Sequence, residues 1–187
     1  MVTINPYKSS WSDEFQELAK ILRGSLGDLA LRIDHIGSTS VPGLAAKDRI
    51  DIQVTVASLD VSVKEALNQV GYQRLEHLRD HPPFGSEAKE GDWDKWVFKP
   101  PAGQRPTNLH VRVAGRPNQR YALLFRDYLR THPSTAEAYA ELKRRLAQNL
   151  ADPDTYPDVK DPAVDLIYFA AEDWAAATGW QPGSSDG

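Results

Sequence analysis

Along the chain, apolar residues switch between a spacing of three to four and a spacing of two, and each switch marks an element. In SWSDEFQELAKILRGSLG the residues Phe15, Leu18, Ala19 and Leu22 share one helical face, with Ser10 and Asp13 as a start signal and Gly27 as the stop. Two strands follow, LALRIDHIG and RIDIQVTV, separated by a small-residue loop from Ser38 to Lys47. SLDVSVKEALNQVGY predicts a helix closed by Gly71, and YQRLEHL a third strand. Residues 79–92, RDHPPFGSEAKEGD, carry prolines, glycines and mixed charges without periodicity, which predicts a mobile loop that could serve as a lid. WDKWVFKP and TNLHVRV read as two further strands joined by PAGQRP.

Beyond Gly115 the pattern is helical, over about residues 117–180. NQRYALLFRDYLRTHP is one amphipathic helix, ended by Pro133, and Ser134 with Glu137 forms a capping box for TAEAYAELKRRLAQNL. TYPDVKDP reads as a loop, Asp161 and Pro162 start a last helix, Gly179 stops it, and the tail QPGSSDG is expected to fray. The fold class is therefore α+β: a mixed sheet flanked by helices, with a helical C-terminal third, in a single domain over residues 1–187.

Composition narrows the partners. With 187 residues, 41% hydrophobic and 26% charged, the chain can bury one good core. A net charge of -4 argues against holding duplex nucleic acid through a broad basic surface, although a local basic pocket is compatible with it. No cysteine is present, which excludes thiol catalysis, disulfides and thiolate metal sites. Neither a signal-peptide pattern nor an apolar run of membrane-spanning length occurs, so the expectation is a soluble cytoplasmic protein. Oligomeric state is not legible.

The candidate chemistry centres on HIGSTSVPGLAAKDRIDIQV. A period of two places Ile50, Ile52, Val54 and Val56 on one face of the second strand, and Asp51, Gln53 and Thr55 on the other, where they can line a cleft. Upstream, a turn at Gly37 can aim backbone N–H groups and the hydroxyls of Ser38, Thr39 and Ser40 at a phosphate, or Pro42 and Gly43 simply set an ordinary turn. An acid between two isoleucines is costly to bury unless a metal, a cation or hydrogen-bond donors meet it, so Asp51 is either a ligand-site residue or half of a structural ion pair. In TNLHVRV, Asn108, His110 and Arg112 share the polar side; His110 is a metal ligand, an acid–base group, or a strand histidine bonded to a neighbour. Lys47 and Lys143 are candidate phosphate contacts or solvated charges, and Arg126, between Phe125 and Tyr128, is placed for bidentate anion contact. Tyr156 and Lys160 join the site if a ligand draws their loop inward.

Gly37–Ser38, twelve intervening positions and then Asp51 with alternating neighbours resemble the signature of the nucleotidyltransferase fold. Beyond that signature, HIGSTSVPGLAAKDRIDIQV, LHVR, LLFRDYLRTHP, AYAELKRRLA and YPDVKDP, in this order and spacing, resemble the GrpB family, also called UPF0157, from about Asn5 to Trp180. The resemblance implies a nucleotidyltransferase-like sheet, no assigned reaction, and occasional fusion to dephospho-CoA kinase, although the chain has no P-loop pattern of its own. In active members of the superfamily paired carboxylates hold divalent metal; here Gln53 stands where the second acid would be. Two readings stay open. In one, a nucleotide or other phosphoanhydride sits against Gly37–Ser40, Mg²⁺ is held mainly by Asp51, and His110, Arg112 and basic helix residues stabilise the transferring group. In the other, the protein is catalytically silent and binds a small phosphorylated or CoA-like ligand.

Overall fold

The structure is a computed structural model that describes residues 2–76 and 79–187. Five strands form one sheet in the order β1-β2-β5-β4-β3, where β1 is Arg32–Ile36, β2 Ile50–Val56, β3 Gln73–Leu75, β4 Trp96–Lys99 and β5 Thr107–Val113. The β2–β5 pair is parallel and every other pair antiparallel. Helix α1 (Ser10–Leu26) precedes the sheet, α2 (Val61–Gln69) lies in the crossover from β2 to β5, and α3 (Pro117–Thr131), α4 (Pro133–Asn149) and α5 (Tyr156–Thr178) follow the sheet.

Alternation along β2 sets the layers. Ile50, Ile52, Val54 and Val56 are buried with Trp11, Phe15 and Leu22 of α1, Leu67 of α2, and Leu109 and Val111 of β5. A second cluster joins the α3–α5 helices to the loop after β1, through Val41, Leu44, Leu124, Leu129, Ala140 and Ala171. Each buried leucine or isoleucine of these clusters contributes about 1.5–3 kcal/mol relative to exposure. The site therefore lies between a rigid sheet and a packed helical layer.

Several boundaries differ from the sequence reading. Ser10 is the first residue of α1 rather than its cap, and its Oγ donates to Glu14 Oε1 at 2.9 Å. Helix α4 begins at Pro133, whose missing N–H costs nothing in a first turn, so Ser134 is already helical and the Ser134–Glu137 capping box does not form. Glu137 instead accepts from Arg144 at 3.1 Å. Helix α5 starts at Tyr156, not at Asp161, and carries Pro162 inside it. That proline leaves the Asp158 carbonyl, four residues back, without its helical donor. The proposed third strand narrows to Gln73–Leu75, and His77 and Leu78 lie outside the described residues. WDKWVFKP pairs only from Trp96.

The tail is docked rather than frayed. Ser185 Oγ accepts from Ile33 N–H at 2.9 Å and donates to the Ile33 carbonyl at 2.8 Å, and Gly187 N–H reaches the same carbonyl at 3.0 Å. Asp186 accepts from His35 N–H at 3.0 Å. β1 is the edge strand of the sheet, so these contacts cover backbone groups that would otherwise be open to another strand.

Candidate functional site

The register of β1, β2 and β5 builds the site row by row. Ile36 faces Asp51 and Asp51 faces Asn108; Asp34 faces Gln53 and Gln53 faces His110; Thr55 faces Arg112. The Asp51 row borders a cavity on the helical side. Gln53 is fully buried: its Nε2 donates to the Gln119 carbonyl of α3 at 3.1 Å, and its Oε1 accepts from Arg112 at 2.7 Å. The expectation that Asp51, Gln53 and Thr55 all line a cleft is corrected here, because α3 covers the last two.

At the open end lies a cavity of about 170 Å³, bordered among others by Ser38, Thr39, Lys47, Asp51, Lys143 and Lys160. All six were candidates from the sequence. Arg49, Asn108, Tyr139 and Tyr156 join them. The shift of the α5 start to Tyr156 explains the last of these: Tyr156 and Lys160 are one helical turn apart rather than loose in a loop. Arg49 was missed although its parity with Asp51 places it on the same side of the chain.

Gly37 does not line the cavity but shapes it. It adopts φ +70°, and a Cβ there would stand 2.4 Å from Asp51 Oδ2. The Asp51 carboxylate thus packs on the glycine, while its Oδ1 accepts from Asn108 Nδ2 at 2.7 Å. Arg49 donates to Asn108 Oδ1 at 3.0 Å, completing a chain from cation through amide to carboxylate. Burial raises the Asp51 carboxyl above its ordinary range, and the Asn108 hydrogen bond, Arg49 and Lys160 oppose that rise.

Cations dominate the rest of the cavity. Lys143, on α4 and only 3% exposed, donates to Ser38 Oγ at 2.8 Å and to the Ala45 carbonyl. Its ammonium lies 4.6 Å from the Tyr139 ring centroid, and that of Lys47 4.0 Å from the Tyr156 ring centroid. Burial, then the charge of Lys160, lower Lys143 to about 7; burial, then Lys160 and Arg49, lower Lys47. Four cationic side chains, Lys47, Arg49, Lys143 and Lys160, thus border one carboxylate.

The remaining candidates lie elsewhere. Ser40 turns inward, its Oγ donating to the Gly37 carbonyl at 2.6 Å. Thr39 Oγ1 is 3.0 Å from His35 Nε2, a ring that burial holds neutral at about 3 and that stacks on Phe15. His110 does not border this cavity: among the described residues its buried Nδ1 finds no hydrogen-bond partner, and burial, then Arg112 and Lys95, hold it uncharged. Arg112 is committed to Asp80, its Nε at 2.7 Å, and to Gln53. Arg126 is removed from the site altogether: it is 2% exposed and bonds Asp127 at 2.7 Å, the His35 carbonyl at 3.1 Å, and Asp186 of the tail. The 79–92 loop is held at its base by Asp80, and Arg116 of the chain's other side donates to the Gly91 carbonyl.

A resident Mg²⁺ does not fit this donor set. Without a bound phosphate to share the ion, a hard divalent cation draws on several protein oxygens at once. Here Asp51 stands alone among four cations, Gln53 is consumed beneath α3, and among the described residues no group of three His, Cys, Asp or Glu could hold a metal.

The sheet, with its Gly-Ser turn and the lone acid on the interior strand β2, has the nucleotidyltransferase-like fold. A cytoplasmic RNA terminal U-transferase superposes with a TM-score of 0.51 over 76% of this chain and 43% of that one, at 15% identity, a likeness of fold alone. Within that class the chain belongs to the GrpB family: the profile described as "GrpB protein" matches residues 1–169. The crystal structure of conserved protein GrpB from Enterococcus faecalis matches with a TM-score of 0.72 and 29% identity, covering 92% of this chain and 99% of that one. A dephospho-CoA kinase of Mycolicibacterium paratuberculosis is 39% identical over 197 residues, 97% of this chain and 48% of that protein. The chain spans about half the length of the first curated relatives it matches.

Proposed function

We propose that this protein binds the phosphoryl group of a small phosphorylated molecule, a nucleotide among the candidates, through direct contacts from lysine and arginine. The observation that carries this reading is the crowding of Lys47, Arg49, Lys143 and Lys160 around one cavity, where burial and mutual repulsion already pull down two of the ammonium groups. An anion would relieve both costs at once. Ser38 adds a hydroxyl on the same wall. A volume of about 170 Å³ suits a phosphoryl group, whereas whole drug-sized ligands occupy roughly 300–1,000 Å³. The remainder of the ligand would then extend past Pro157, which borders a neighbouring cavity as well.

Isothermal titration with sulfate, pyrophosphate, ATP and UTP without metal tests the reading. The name of one relative, dephospho-CoA kinase, adds dephospho-CoA to the panel. Saturable binding that falls about tenfold or more in Lys143→Met supports it. A folded protein that binds none of these at millimolar concentration contradicts it. Transfer chemistry is a separate question: a Mg²⁺ carried in on a polyphosphate would meet Asp51 as its one protein carboxylate, and repeating the panel with Mg²⁺ while scoring for product reads that out.

A further inference from the structure

A second cavity, of about 460 Å³, lies on the other side of Pro157 and is bordered by Trp93, Asn118, Tyr121, Asp158, Asp161 and Asp165 among others. Unlike the phosphoryl site, it carries four aspartates, Asp80, Asp158, Asp161 and Asp165, beside the cations Arg79, Lys95 and Arg112. The last three aspartates stand on α5 at a spacing of three and four, which places them on one helix face. On the facing wall Arg112 and Lys95 both close on Asp80, and Arg79 and His81 border the cavity beside them.

Two buried groups in this wall lack the partner they need. Asp165 is 9% exposed, yet among the described residues no ion pair neutralises it; it accepts only from Phe84 N–H at 3.1 Å and from the Tyr121 hydroxyl at 3.5 Å. A carboxylate buried this far requires a cation or pays a large desolvation penalty. Asn118 is 1% exposed and its Oδ1 accepts no hydrogen bond among the described residues, while its Nδ2 donates to Asp80 at 3.2 Å and to the Asp94 carbonyl at 3.0 Å. Trp93 and Tyr121 meet edge to face at 6.0 Å, so aromatic rings wall the same space, and Tyr121 is fixed by stacking on Tyr168 at 4.0 Å.

Asp161 pairs with His81 at 3.1 Å and with Lys160 at 3.6 Å, but Asp158 and Asp165 make no ion pair among the described residues. These two carboxylates, an unfilled amide oxygen and aromatic walls together suit an organic ammonium, whose N–H groups satisfy the oxygens while its carbons lie against the rings. A metal ion suits them less, since among the described residues no three carboxylates or histidines converge. We propose that this chamber binds the ammonium group of an amine-bearing small molecule. The apolar extension beside it, lined by Phe84, Leu166 and Phe169, gives room for the carbon skeleton of such a molecule.

The test titrates the full chain with benzylammonium chloride and, in parallel, with benzyl alcohol, following the Trp93 indole resonance assigned through Trp93→Phe. The expected result is saturable binding of the amine, at least about tenfold weaker binding of the alcohol, and a loss of about tenfold in Asp165→Asn. Asp158→Asn, a change at an exposed position, is expected to weaken the amine severalfold and carries the test if Asp165→Asn fails to fold. Equal binding of alcohol and amine, unchanged affinity in the folded variants, or no saturation with the folded wild type would overturn the proposal. Lys143→Met separates the two sites: it is expected to lose sulfate and keep benzylammonium, so either site can fail without the other.

Discussion

At the scale of single residues, Lys143 and Gly37 carry the site. Lys143 is lowered to about 7 by burial and by Lys160, against an ordinary value of 10.5. The unfolded chain therefore holds this proton more tightly than the folded one between pH 7 and 10.5, and the folded state bears the cost of the buried ammonium below that window. The group's contribution to stability thus rises with pH across the window. Oxyanion affinity runs the other way, because the charge that attracts the anion is lost. Sulfate, whose charge is constant over this range, is expected to bind progressively more weakly from pH 6 to pH 9, and titration of Lys143→Met is expected to give a flatter profile at lower affinity. A wild-type profile without slope would show that Lys143 does not face the anion. Gly37 acts through space and backbone together. Gly37→Ala drives a methyl into the Asp51 carboxylate at a positive φ, and is expected to cost at least about 2 kcal/mol in urea unfolding. A near-neutral result would mean that the turn relaxes without disturbing Asp51.

At the scale of elements, buried ion networks tie the sheet to its surroundings. Asp80 receives Arg112 and Lys95, whose side chains are 8% and 11% exposed. Burial pushes the Asp80 carboxyl up, but Arg112 and Lys95 prevail and hold it well below the usual carboxylate range. Its stabilisation is accordingly present above pH 3.8 and is lost on further acidification. Asp80→Asn leaves two nearly buried cations without their anion and is expected to cost about 3 kcal/mol by urea unfolding at pH 7; a loss below about 1 kcal/mol would contradict the coupling. The tail along β1 is a second such tie. Asp186→Ala removes an acceptor from both Arg126 and His35 N–H, and a loss of about 1–2 kcal/mol is expected with sulfate affinity unchanged. Weaker sulfate binding in that variant would show that the tail reaches the site.

These elements also show what a sequence can and cannot carry. The alternation in RIDIQVTV was legible because a period of two with one apolar face has few other meanings, and it put Asp51 on the correct side. Arg49 and Asn108 shared that parity and were available to the same reading. What escaped depended on distant packing. Gln53 has the same parity as Asp51, but α3 lies over it, and nothing in eight residues of strand reports that. Arg126 looked poised for a ligand anion and instead meets Asp186, sixty residues on. Pro162 reads as a helix start by local rule, yet the helix begins six residues earlier, at Tyr156, whose side chain is buried.

At the scale of the whole molecule, the fold is that of nucleotidyltransferases while the charge pattern is not that of a two-carboxylate metal site. The sheet brings one acid to the cavity, and the helical layer brings cations from α4 and α5 toward it. Among the described residues no helix is long and apolar enough to cross a membrane. A neighbouring chamber richer in aspartates, on the far side of Pro157, gives the molecule two dissimilar sites flanking the first turns of α5. The central claim is that cations, rather than a metal held by Asp51, bind the phosphoryl group. The most direct measurement is calorimetric titration of pyrophosphate into wild type and Asp51→Asn, with EDTA and then with Mg²⁺. Removing a negative charge from a cationic pocket predicts that Asp51→Asn binds metal-free pyrophosphate as tightly as wild type or severalfold more tightly. Binding that appears only with Mg²⁺ and disappears in Asp51→Asn would contradict the account.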